Sequence, residues 1–140
     1  MPRLRIYHLF ISHSWKYSDE YYRLVNLLNN APYFLWKNYS SPEHDPAVNP
    51  DSIVGRRVLT RELENQIRPV HCVIVLSGLY VAYSYWIQKE IDIALSFGKP
   101  IIGVRPWGGE RVPRIIQEVA REIVGWRTDS IINAIRRHSL

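Results

Sequence analysis

Apolar positions along the chain follow two rhythms. Compact apolar blocks read as strands buried in a sheet, and stretches with apolar residues every three or four positions read as helices packed on it. The first block is Arg5–Ile11, with Ile6, Leu9, Phe10 and Ile11 apolar, and it runs into a polar turn, Ser12-His13-Ser14. Ser18 is a fitting cap for a helix from Asp19, in which Tyr21, Leu24, Val25 and Leu28 recur at helical spacing until Asn29-Asn30-Ala31-Pro32 ends it. A second strand is predicted at Phe34–Tyr39, followed by a polar connection, Ser40–Gly55, holding Pro42, Pro46 and Pro50. That connection is long for a compact α/β unit and reads as a functional loop.

Leu59, Leu63 and Ile67 mark a second helix that stops at Arg68-Pro69, and Val70–Leu76 is a buried strand bounded by Ser77-Gly78. A third helix runs from about Ser84 to Phe97 and ends at Gly98, before a strand at Lys99–Val104. Pro113 suits the first position of a short helix reaching about Ala120, Glu122–Trp126 forms a last strand, and Thr128 or Asp129 caps a helix with Arg136 and Arg137 near its end. Strands and helices that alternate in this way define an α/β class with a parallel sheet covered on both faces. The commonest five-strand doubly wound order, 2-1-3-4-5, is the order expected. It would bring Ser12-His13-Ser14 and the stretch from Ser77 into the third helix to one crevice.

On that third helix one acid stands out. Three and four residues from Glu90 lie Trp86, Ile87, Ile93 and Ala94, so no partner of opposite charge is in reach along the helix. Asp92, by contrast, has Lys89 three residues back. Glu90 falls at the edge of the stripe Ile87, Ile91, Ala94 and Leu95. A carboxylate so placed is either a partly desolvated functional group or a boundary residue that reaches solvent or an arginine elsewhere.

Composition changes the picture little. The formal charge is +5, but the arginines and lysines are spread along the chain without a long basic tract, so no nucleic-acid partner is expected. Cys72 is the one cysteine, which excludes an internal disulfide and favours the cytoplasm. It lies in an apolar strand, as an inert core thiol would. No segment approaches the ~20 apolar residues of a membrane span. Glu43, His44 and Asp45 have no second spaced ligand pair, so no metal site is expected. Glycine-rich dinucleotide and phosphate-loop fingerprints are absent, and Gly108-Gly109 reads as a turn.

Three segments carry a family resemblance. Leu9-Phe10-Ile11-Ser12-His13-Ser14 resembles the first box of the Toll/interleukin-receptor (TIR) family, Ser84-Tyr85-Trp86-Ile87-Gln88-Lys89-Glu90 resembles its S-x-W-C-x-x-E motif, and Pro100-Ile101-Ile102-Gly103-Val104 resembles the strand after it. Ile87 stands where many members have cysteine. The closer likeness is to short prokaryotic TIR-like proteins, among them the signalling subunit of Thoeris antiphage defence. The resemblance implies a flavodoxin-like three-layer TIR fold in one domain over residues 1–140. It also implies an enzyme that cleaves or cyclises NAD, with NAD as substrate and no cofactor, and a nucleotide product read by a separate effector.

Glu90 takes the family's catalytic position. Phe10, Ser12, His13, Ser84 and Trp86 are the substrate-binding candidates. Three of them have a plainer alternative: Phe10 and Trp86 as core, His13 as a solvated turn residue. Arg56 and Arg57 either meet a pyrophosphate or are a solvated helix start. Self-association through TIR surfaces is expected, and a non-enzymatic interaction module is the alternative function.

Overall fold

Parallel strands cannot be joined by tight turns, so each strand here hands the chain to a helix that returns it to the same edge of the sheet. A computed structural model describes residues 5–13, 19–40, 52–80, 84–106 and 111–140. Five strand–helix units follow in order: β1 (Ile6–Ile11), α1 (Asp19–Asn30), β2 (Leu35–Asn38), α2 (Ile53–Ile67), β3 (Cys72–Leu76), α3 (Ser84–Ser96), β4 (Ile101–Val104), α4 (Arg114–Val119), β5 (Glu122–Val124) and α5 (Thr128–His138). The strands are all parallel, in the order β2-β1-β3-β4-β5. The α/β class and the strand order expected from the sequence are therefore those of the protein.

The order fixes the layers. The chain moves one way from β1 to β2 and the other way for every later crossover, and right-handed crossovers then put α1 opposite α2, α3 and α4. α1 packs against α5, and α2 against α3. β3 is central and buried at every residue, whereas the edge strand β2 is only half-buried. β1 begins exposed and ends buried at Leu9, Phe10 and Ile11, so its carboxyl end is the part sunk in the core.

Several expected boundaries move. The connection after β2 is shorter than Ser40–Gly55: Ser52 caps α2 by accepting from Gly55 N at 2.9 Å, and Gly55 is a buried helical residue. A glycine read as loop is there a buried position in the first turn of a helix. Pro113 is the N-cap of α4 rather than its first turn, because its ψ of 143° is still extended. Neither Thr128 nor Asp129 caps α5: Arg127 holds that position without a side-chain bond, and Asp129 accepts from Ser130 N at 2.9 Å within the first turn. Asp92 takes its bond from Gln88 at 2.9 Å, along the helix. Leu95 is exposed, and Ile93 takes its place in the buried arc of α3.

Ser14, Ser18, most of the Ser40–Gly55 connection with its prolines and Glu43-His44-Asp45, and Gly108-Gly109 lie outside the described residues. α3 ends where Gly98 adopts φ +66°. Gly98 N bonds Leu95 O and Lys99 N bonds Ala94 O, the paired closure that a left-handed residue permits.

Candidate active site

Three consecutive residues leave β1, and each is gripped by a different part of the fold. Ile11 N donates to Ser40 Oγ (3.2 Å), beyond the end of β2. Ser12 N donates to Ile74 O (2.9 Å), and Ser12 Oγ accepts from Leu76 N (2.9 Å), so this hydroxyl extends the β1–β3 ladder by one rung. His13 N donates to Glu90 Oε1 (3.2 Å) on α3. All of these residues are fully buried.

The Glu90 side chain has 0% exposure. It lies within the apolar arc of α3 rather than at its edge, because α3 faces both the sheet and α2. Taking a carboxylate out of water is expensive, and hydrogen bonds from backbone amides offset part of that cost.

His13 is not the solvated turn residue of the plainer reading. Its ring is buried, 5.2 Å from the Phe10 ring, with Nε2 3.4 Å from Gln66 Oε1 on α2. Burial lowers its pKa to about 3, against a smaller upward pull from the Gln66 bond. The imidazole is therefore neutral near pH 7, and its 3.8 Å approach to Glu90 Oε1 is no ion pair. Phe10 belongs to the core cluster. Trp86, one turn before Glu90, is buried too, with its ring edge-on to Tyr85 at 5.1 Å.

Ser84 stands apart from this group. It is exposed at the start of α3, on a cavity of about 900 Å³ lined also by Tyr80, Arg111, Arg114 and Gln117. The structure thus brings Phe10, Ser12, His13 and Glu90 into one buried group at the carboxyl ends of β1 and β3, with Trp86 beside it on α3.

Two participants were not singled out from the sequence, and a third, Ser77, was expected there only as the start of a converging stretch. Gln66 reads there as an ordinary polar helix residue, and only its place four residues after Glu62 and one before buried Ile67 marks its face. Ser40 reads as the first loop residue, yet it is buried: its Oγ donates to Asn38 Oδ1 (2.6 Å), and its carbonyl accepts from Tyr21 OH (3.0 Å). Burial holds that phenol above its usual pKa. Ser77, directly after β3, is buried, and its Oγ has no hydrogen-bond partner among the described residues. Cys72 is a core thiol, pushed up by burial to about 12.

Fold and site together define a doubly wound α/β protein with a buried carboxylate where the strand order reverses, the usual ligand position in such sheets. The chain matches the model of the family described as "Thoeris protein ThsB, TIR-like domain" over residues 10–111, and it belongs to that family. It is a defence-related TIR-like protein. Among solved structures it is similar to a 2-deoxyribosyltransferase from the psychrotolerant bacterium Bacillus psychrosaccharolyticus. The TM-score is 0.59 at 15% identity over 90% of each chain, a likeness of fold alone. No curated protein matches the chain. No helix among the described residues is long and apolar enough to cross a membrane.

Proposed function

We propose that this protein breaks the nicotinamide–ribose bond of NAD and releases an ADP-ribose-type nucleotide, linear or cyclised, that a separate effector reads in antiphage defence. The observation that carries the reading is the placement of Glu90: a desolvated carboxylate on α3 touching the backbone of the turn after β1. Family membership supplies the context.

One carboxylate suffices for this chemistry. The C1′–N bond breaks with its electron pair passing to the pyridinium nitrogen, so nicotinamide departs neutral and needs no general acid. The ribose left behind is oxocarbenium-like, as in glycoside hydrolysis. A carboxylate fixed in a dry site stabilises that charge without reorganising. Water, or a nucleophile within the same nucleotide, then bonds C1′ and loses its proton. The Ser77 hydroxyl, without a partner among the described residues, is a donor available to a ribose oxygen at the same end of the sheet. Such a reaction draws on cytoplasmic NAD.

Mass spectrometry of nicotinamide and nucleotide products, with purified protein and NAD, tests the proposal. Glu90→Gln should lower the rate by about 100-fold or more while the fold is retained. An undiminished rate in that variant would remove Glu90 from the chemistry.

A second reading rests on the same contact. With 0% exposure, Glu90 also serves as a structural tie between α3 and the β1 turn. In that case the protein is a non-enzymatic TIR-like interaction module. Normal defence signalling by Glu90→Gln, with no nicotinamide released by the parent protein, would select this reading.

A further inference from the structure

Between α2 and α3 runs a groove of about 410 Å³ lined by Arg56, Arg57, Thr60, Arg61, Glu64, Tyr85 and Lys89. Four cations face a single carboxylate. Arg57 and Arg61 are both exposed and four residues apart on α2, where like charges repel. Among the described residues, none of the four cations forms an ion pair. Thr60 Oγ1 is engaged within its own helix, donating to Arg56 O at 2.6 Å.

Arg56 is the most constrained of the four. Its guanidinium carbon lies over the Tyr85 ring, 4.1 Å from the centroid, and that contact restrains the side chain. Its Nε is enclosed yet donates no hydrogen bond among the described residues. Lys89 approaches the same ring at 5.8 Å. A guanidinium held against an aromatic ring, with an unused donor and flanked by unpaired cations, is suited to receive phosphate oxygens, which accept paired N–H bonds from one planar fork. The excess of three positive charges calls for more than one phosphate.

We propose that the groove is a binding site for a diphosphate group, held by Arg56, Arg57, Arg61 and Lys89. The assignment does not rest on NAD cleavage. Two sources share this chemistry, the diphosphate of a dinucleotide substrate and a separate polyphosphate ligand.

Calorimetric titration of the whole chain with inorganic pyrophosphate at low ionic strength tests it, with sulfate at matched ionic strength as control. Saturable one-to-one binding is expected, weakened at least tenfold in Arg57→Gln/Arg61→Gln, whose exposed side chains can be exchanged without touching the core. Lys89→Gln should weaken it independently. No saturable binding, equal binding by the double variant, or equal displacement by sulfate would each overturn the proposal. Repeating the titration on Glu90→Gln saturated with NAD separates the sources: competition assigns the groove to the dinucleotide's own diphosphate, and simultaneous binding assigns it to a separate ligand. Because the readout is binding, a failed diphosphate site and a failed NAD reaction remain distinguishable.

Discussion

Glu90 and His13 meet at the end of β1, and their chemistry has consequences that can be measured without substrate. A histidine whose folded pKa is depressed binds fewer protons folded than unfolded between that value and its ordinary one. Stability from this group is therefore complete above about 6.5 and falls as pH drops toward about 3. The slope should approach about 1.4 kcal/mol per pH unit where only the unfolded chain is protonated. Denaturant unfolding between pH 7 and 5, above most carboxylate titration, should show this decline, and His13→Asn should flatten it. His71, lowered by burial and by nearby Arg5, His8 and Lys99, adds a slope of the same sign that the variant leaves in place.

The two serines at the site separate structure from function. Ser12 Oγ satisfies the buried Leu76 amide, so Ser12→Ala should lower stability by about 1–3 kcal/mol. Ser77 Oγ has no partner among the described residues, so Ser77→Ala should change stability little. If the hydroxyl meets ribose, NAD cleavage will still fall. A large stability loss in the Ser77 variant would show that its hydroxyl is structurally engaged after all.

At the scale of elements, close approaches decide what each position tolerates. A Cβ on Gly103 of β4 would come within 2.9 Å of Ile116 Cγ2 on α4, so Gly103→Ala forces the sheet and a short helix apart and should cost about 1–3 kcal/mol in chemical denaturation. An unchanged midpoint would mean that α4 shifts freely. Element type and order were legible because the apolar blocks of β3 and β4 and the helical spacing of α1 and α2 are unambiguous. Boundaries were less so. Gly55 looked like loop because nothing local reveals that α2 is already buried there, and Ser40 looked like loop because its partners, Tyr21 and Ile11, are far along the chain.

Glu90 was legible as an acid with only apolar residues three and four positions away on its helix. How deeply it is buried was not, since that depends on α2 covering a second side of α3. His13 was misjudged for a related reason. A polar turn normally faces water, but this one is roofed by two helices, one of them through Gln66.

At the scale of the molecule, the carboxylate is closed from solvent while the proposed reaction needs it at a sugar. Catalysis then requires this end of the sheet to open, and self-association is the event we propose to drive it. Specific activity should rise with protein concentration over a hundredfold range, with light scattering reporting the assembly. A constant specific activity over that range would mean that a single chain opens by itself.

The grip on residues 11–13 has a consequence for exchange with deuterated solvent. Their amide protons are committed to Ser40 beyond β2, to β3 and to Glu90 on α3 in turn. They should be among the slowest to be replaced, released only when the sheet itself comes apart. One wall of the candidate site would then behave as an extension of the strand, and any movement that admits a ligand must come from the other side.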